Sequence, residues 1–316
     1  VKSDSFMKSL FVSRVSQKTS FLLAFFQFAL LSCRTDVPKD TPETRSRKAQ
    51  LFQKSIDYAF SQNLSVRLNP KNSKDSFGIV GGVDVSETNS ILPLITVRID
   101  ILNQGGTASF CTGTIVGQRF VVSAAHCFAK YFEPVTLNPS IDVSFGSGAS
   151  VSRQVKKLTY HDGFAKSTQY PKMGKTPGYP EAPLNDVALL ELQDEIPSSS
   201  IPIGILPSSI KLNENQVIKI AGFGKTDDKA FSQVLRATQM YLHQTKETAK
   251  VIGAVNSDSQ SACNGDSGGP ALVVVSDFLY LVGATSYGSK HCADGSVVFT
   301  DLRLFHGWLN EKAIQN

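Results

Sequence analysis

Gly265-Asp266-Ser267-Gly268-Gly269-Pro270 decides how this chain is read. A serine set between a carboxylate and paired glycines suits neither a regular helix nor a strand. Glycine costs backbone entropy and belongs where positive φ or close backbone approach is needed. Here the glycines would let the backbone N–H groups of Gly265 and Ser267 converge on one point, the arrangement that an anionic oxygen requires. The alternative is a tight polar turn, so partners decide the matter.

Serine is a weak nucleophile unless a base takes its proton and a third group orients that base. The chain has five histidines. His126 stands in Ser123-Ala124-Ala125-His126-Cys127, directly after Phe120-Val121-Val122. Asp186 opens the switch from polar to apolar in Asn185-Asp186-Val187-Ala188-Leu189-Leu190, as expected at the mouth of a buried strand. His126, Asp186 and Ser267 thus each sit at the edge of a strand-like segment. Together with Ile79-Val80-Gly81-Gly82, Gly222-Phe223-Gly224 and Ser286-Tyr287-Gly288, all in order, they make the chain from Ile79 onward resemble the trypsin/chymotrypsin-type serine endopeptidases.

Composition agrees with an exported globular protein. The 316 residues allow a leader followed by a pair of packed subdomains, and 41% hydrophobic residues suffice for their cores. A net charge of +5, with no block of Lys and Arg interleaved with aromatics, argues against nucleic acid as a partner. Beyond residue 79, short apolar runs at 94–101, 120–123, 217–221, 271–275 and 280–285 alternate with Gly, Pro, Asn and Asp, an all-β pattern. The resemblance implies two antiparallel Greek-key β-barrels of the chymotrypsin-like fold, at about 79–192 and 213–301, with a C-terminal α-helix at about 301–314. A connector carrying Pro197, Pro202 and Pro207 reads as a strap between them.

Ahead of the protease-like part, 79–316, Lys8, Arg14 and Lys18 precede an apolar run, 21–31, that is too short to cross a bilayer and reads as a secretory signal. Residues 1–33 end in Leu30-Leu31-Ser32-Cys33, which resembles a bacterial lipobox with lipidation at Cys33; the alternative is a cysteine removed with the signal. Residues 34–78 read as a propeptide or linker. Leu51, Phe52, Ile56, Ala59 and Phe60 permit a short amphipathic helix there, against a solvated tether. Five cysteines leave one over. By resemblance, Cys111 pairs with Cys127 and Cys263 with Cys292. Cys33 is then the remainder, and the scaffold reads as a lightly stapled, bacterial type of precursor.

The resemblance also assigns roles. Ser267 attacks the peptide carbonyl, His126 accepts and returns its proton, Asp186 orients the imidazole, and the N–H groups of Gly265 and Ser267 form the oxyanion hole. Cutting between Gly78 and Ile79 frees an α-amino group to pair with Asp266, which makes the protein a zymogen. Phe77 and Gly78, in place of Lys or Arg, leave the activating protease unknown. Ser261 is the neutral base of the substrate pocket, with Ser286, Tyr287 and Gly288 on one wall and Val297 on the opposite wall. Such a pocket favours small or medium apolar side chains over Lys and Arg.

No metal and no cofactor are expected, since metal-ligand spacings do not occur. His161, His243, His291 and His306 read as surface or packing residues. The stretch 166–183, rich in Pro, Gly, Lys and Tyr, is expected to overhang the cleft or to be a plain surface insertion. The expected partners are protein or peptide substrates, an activating protease and, through Cys33, a membrane before activation. The protein is expected to be a monomer in the periplasm, on the outer membrane or outside the cell. The rival reading is a catalytically silent, protease-like binding module or lipoprotein.

Overall fold

A computed structural model describes residues 79–80, 82–85, 90–102, 108–129, 140–164, 183–226, 231–288 and 292–314. The signal segment, Cys33, the helix expected near 51–60, Gly78, His291 and nearly all of the 166–183 stretch lie outside the described residues.

The strands are β1 (Val83–Asp84), β2 (Thr96–Leu102), β3 (Ala108–Gly117), β4 (Phe120–Ser123), β5 (Ser140–Phe145), β6 (Val151–Tyr160) and β7 (Ala188–Leu192), then β8 (Val217–Gly222), β9 (Arg236–Lys246), β10 (Val251–Val255), β11 (Pro270–Val275), β12 (Phe278–Gly288) and β13 (Ser296–Asp301). The first barrel closes in the order β2-β3-β4-β7-β6-β5. The second runs β9-β10-β13-β12-β11-β8 and closes through β8 and β9, with β1 added alongside β9. Every strand pair is antiparallel. The expected all-β architecture of two closed six-stranded barrels and a C-terminal helix is therefore what forms.

Three differences from the sequence expectations have physical causes. The apolar run at 94–101 is not strand throughout: residues Leu92–Ile95 form a single helical turn, α1, with Pro93 at its start. Proline suits that position because its missing N–H would be unpaired there anyway. The segment 79–85 belongs to the second barrel and not the first, because Val83 and Asp84 pair with Ala237 and Arg236. The terminal helix is in two parts, a 3₁₀ turn at Leu302–Phe305 and then α3 (His306–Ile314). Asp301 caps the turn through the Arg303 N–H and grips the Arg303 guanidinium with both carboxylate oxygens.

Alternation sorts the side chains. In β2, Val97, Ile99 and Ile101 point into the first barrel while Arg98 and Asp100 lie outward and pair. One apolar core fills each barrel, around Ile99, Leu190 and Phe128 in the first and Ile218, Met240 and Phe299 in the second. A third core lies in the seam, where Val122 and Leu189 of the first barrel meet Phe223 and Leu281 of the second under Leu309. The proline-bearing connector straps this seam. Ile201 and Ile203 donate backbone hydrogen bonds to Leu94 and Ile115, and Leu206 donates to Leu281 on the other barrel.

Candidate active site

β4 ends at Ser123, and the short helix α2 (His126–Ala129) begins at the histidine. Asp186, two residues before β7, accepts the His126 backbone N–H at 2.8 Å through Oδ1. Its Oδ2 lies 2.7 Å from His126 Nδ1. A carboxylate at Nδ1 holds the ring proton there and leaves Nε2 as a proton acceptor. Asp186 is only 1% exposed. Burying a charge this far is costly without donors, and one more comes from the second barrel, which also holds the Asp186 backbone. The Ser286 hydroxyl donates to Oδ2 at 2.5 Å, and the Thr300 hydroxyl donates to the Asp186 carbonyl at 2.8 Å. Sequence reading placed Ser286 among the substrate contacts and missed Thr300. Ser286 stands in the Ser286-Tyr287-Gly288 run already singled out, but nothing local marks its bond to Asp186, which it makes from the register shift between Thr285 and Tyr287, and nothing local marks Thr300 of β13.

Thr112 of β3 seats the serine run. Its N–H donates to the Ser267 carbonyl at 2.9 Å and its hydroxyl donates to the Gly265 carbonyl at 2.9 Å. The Thr112 carbonyl in turn accepts the Ser123 hydroxyl at 2.8 Å. Gly268 has φ of +80°, and a Cβ there would overlap Ser123 Oγ and the Thr112 carbonyl. The backbone beside Ser267 therefore packs directly on the segment leading into His126. A disulfide from Cys111 to Cys127 ties β3 to α2, and a second joins Cys263 to Cys292.

Gly265 has φ of +99°, a region a side chain rarely adopts, and a Cβ would strike the Phe110 ring. The N–H groups of Asp266, Gly268 and Gly269 are spent on the carbonyls of Cys263, Thr285 and Asp266. Those of Gly265 and Ser267 donate to no acceptor among the described residues. They are the pair that the sequence singled out.

The Asp266 side chain turns the other way, into the second barrel. It is 1% exposed and accepts the N–H groups of Gly224 and Cys263, each at 2.8 Å. No cation faces it among the described residues. Burial outweighs the two N–H donors and pushes its carboxyl up to about 7. Gly222 and Gly224 are glycines because a Cβ on either would overlap this carboxyl. Ile79 is buried in the second core with Ala262 and Val297, and Val80 pairs with Ser261, five residues before Asp266. Ile79 has φ of +40°, strained for a β-branched residue.

Ser261 is buried, and its hydroxyl donates to the Ser296 carbonyl at 3.1 Å. Gly288 and Val297 are not on facing walls. They are direct cross-strand partners of β12 and β13, as are Tyr287 and Val298. Side chains of directly paired residues project to the same face, so the Val297 side chain lies on the face that Gly288 leaves bare. The remaining described histidines make packing contacts or lie outward. His161 packs edge-on against Phe305 and tilted against Trp308, His306 bonds Asn310, and His243 is exposed on β9.

Comparison with known proteins follows the same residues. The trypsin family profile matches residues 79–309. Trypsin 5G1 of Aedes aegypti is 26% identical over 75% of this chain and 86% of its own length. Chymotrypsin of Phaedon cochleariae is 26% identical over 81% of this chain and 90% of its own. The solved structure of HL collagenase matches with a TM-score of 0.58 at 21% identity, over 74% of this chain and 98% of that one, a likeness of fold. Further relatives come from Anopheles gambiae, Drosophila melanogaster, mouse and rat. These relatives are animal proteins. The bacterial lipoprotein-type precursor inferred from the Cys33 segment and the sparse cysteines draws no support from them, nor does a periplasmic or outer-membrane location.

Proposed function

Because this chain belongs to the trypsin family and is a serine-type peptide hydrolase, we propose that Ser267, His126 and Asp186 are its catalytic triad. The Asp186–His126 pair carries this reading, since two bonds from one buried carboxylate fix both the ring and its backbone. Ser267 Oγ attacks the scissile carbonyl, and His126 Nε2 takes its proton and returns it to the leaving amine. Asp186 stabilises the imidazolium. The N–H groups of Gly265 and Ser267 receive the oxyanion, each worth about 3 kcal/mol in the transition state. A fluorophosphonate probe tests this directly. Labelling at Ser267 is expected after processing before Ile79, with weak labelling beforehand; a processed chain that takes no label would overturn the reading.

The zymogen reading is supported by the strain at Ile79. A β-branched residue in the left-handed region costs about 1–3 kcal/mol. Cutting the preceding peptide bond abolishes that torsion and creates an α-amino group close to the segment that carries a buried, unpaired carboxyl. Both disulfides lie within 111–292, so neither ties the segment before Ile79 to the protease. The two bridges also favour an oxidising, extracellular location.

The substrates proposed are proteins or peptides with a small or medium apolar residue before the cut. Ser261 is neutral and its hydroxyl is already bonded, so a Lys or Arg side chain would be buried without a partner. Val297 narrows the wall beside Gly288. Peptides with Ala or Val at that position should be cleaved about tenfold faster than those with Phe or Lys. Val297→Gly should shift the preference toward Phe. A wild-type preference for Phe would count against a narrowed pocket.

A further inference from the structure

Asn185, immediately before Asp186, adopts φ of +50° and uses both ends of its side-chain amide. Its Nδ2 donates to the Gly163 carbonyl at 2.7 Å, and its Oδ1 accepts the Lys250 ammonium at 3.3 Å. Its carbonyl accepts the Val187 N–H at 2.8 Å, so Asp186 is the middle residue of a closed three-residue turn. Asparagine tolerates the left-handed region without requiring it, and the two amide bonds hold it there. The Gly163 turn depends in turn on His161, whose Nδ1 accepts the Gly163 N–H at 3.0 Å. The His161 ring is wedged 5.2 Å from Phe305 and 5.3 Å from Trp308, while Lys250 lies 4.7 Å over the Phe305 ring. An unbroken set of contacts thus runs from the C-terminal helix through His161, Gly163 and Asn185 to the residue that bonds His126.

We infer that His161, Lys250 and Asn185 are positioning residues that clamp Asp186, and that protonation of His161 opens the clamp. This rests on the peptidase reading above and adds a control over the same site. With Nδ1 accepting a hydrogen bond, the neutral ring carries its proton on Nε2. A second proton on Nδ1 would set two donors against each other at Gly163 and break that bond. The groups facing the ring are Asp162 on its own turn, Lys250 beyond the 3₁₀ turn Glu247–Ala249, and Lys312 on α3. Burial first, then Lys250, holds the imidazole below its usual 6.5, against the opposing pull of Asp162. The sign follows: the neutral ring and the closed clamp persist above about pH 6.5 and are lost as pH falls through the lowered value.

The chain has one tryptophan, so Trp308 emission reports His161 without reference to activity, because an imidazolium quenches a neighbouring indole. In the processed wild-type protein, Trp308 emission should fall at acid pH. The acid limb of kcat/KM should steepen from one proton to two at the same midpoint. His161→Gln should abolish the emission step and leave a one-proton limb. Lys250→Met keeps His161 but removes the repelling ammonium, so it should move both the emission midpoint and the second proton to higher pH. Asn185→Gly keeps the backbone conformation and removes both amide bonds, and should lower kcat about tenfold with KM unchanged. Acid limbs that superimpose in wild type, His161→Gln and Lys250→Met would overturn the clamp. An emission step that survives His161→Gln would do the same. Fluorophosphonate labelling of wild type at pH 8 tests the peptidase reading separately.

Discussion

Ser267→Ala should lower kcat about a million-fold and move the thermal midpoint by no more than a few degrees. The framework around residue 267 is built from its backbone: Thr112 bonds its carbonyl, and the neighbouring Gly268 N–H bonds Thr285. Removing the hydroxyl therefore takes away the proposed nucleophile and little else. Asp186→Asn provides the contrast, with kcat down about ten-thousandfold and a measurable loss of stability. The carboxylate accepts from the His126 backbone, the His126 ring and Ser286, and an amide would set N–H donors against them. It would also favour the wrong imidazole tautomer. Active-site titration and calorimetry on the two variants separate these effects. Retention of more than a small fraction of hydrolysis by Ser267→Ala would show that another group is the nucleophile.

The second large effect concerns Asp266. In the uncut chain its carboxyl is raised from 3.8 to about 7 by burial, so the folded state favours the protonated form. The benefit is complete below the unfolded value and is lost as pH rises through the folded one. Across that window the uncut chain should lose about 4 kcal/mol of stability from this residue alone, at about 1.4 kcal/mol for each tenfold difference in proton affinity between the folded and unfolded states. Urea unfolding of uncut Ser267→Ala protein between pH 4 and 8 measures this without self-digestion. Asp266→Asn should flatten the dependence. Cutting before Ile79 should reverse it, because the new α-amino group, which titrates near 8 when free, supplies the missing cation. Activity of the cut enzyme should then hold at neutral pH and fall in the alkaline range. Activity that survives acetylation of the Ile79 amine would refute the pairing.

The parts of the site that depend on local backbone demands were legible in the sequence. Gly265, Gly268, Gly222 and Gly224 each stand where a Cβ would collide with a ring, a carbonyl, a hydroxyl or the Asp266 carboxyl. A short motif can therefore be read as a steric requirement. The His126 and Asp186 segments were equally plain, because each joins a polar residue to an apolar strand. What escaped depended on register. Whether Gly288 and Val297 face each other or sit side by side is decided by which residues of β12 and β13 pair, and alternation along one strand does not identify its partner. Thr300 of β13 reaches Asp186 across 114 positions of chain, and Ser286, at the register shift between Thr285 and Tyr287, across 100. The two-residue β1 has no period to read, and its place in the second barrel follows from where Ile79 is buried. The boundary at Thr96 was hidden because a proline-led helical turn and a buried strand present the same unbroken apolar run.

The seam core has one more consequence. Asp186 is anchored by residues of both barrels, and the interface that keeps them together is apolar packing under a strap. Melting either barrel would therefore part His126 from Ser267, the proposed base and nucleophile. A molecule with one barrel intact has no fractional turnover to offer. Heat inactivation should accordingly be all-or-none for each molecule, and substitutions at Phe223 or Leu281 would be scored as losses of active enzyme and not as changes in kcat.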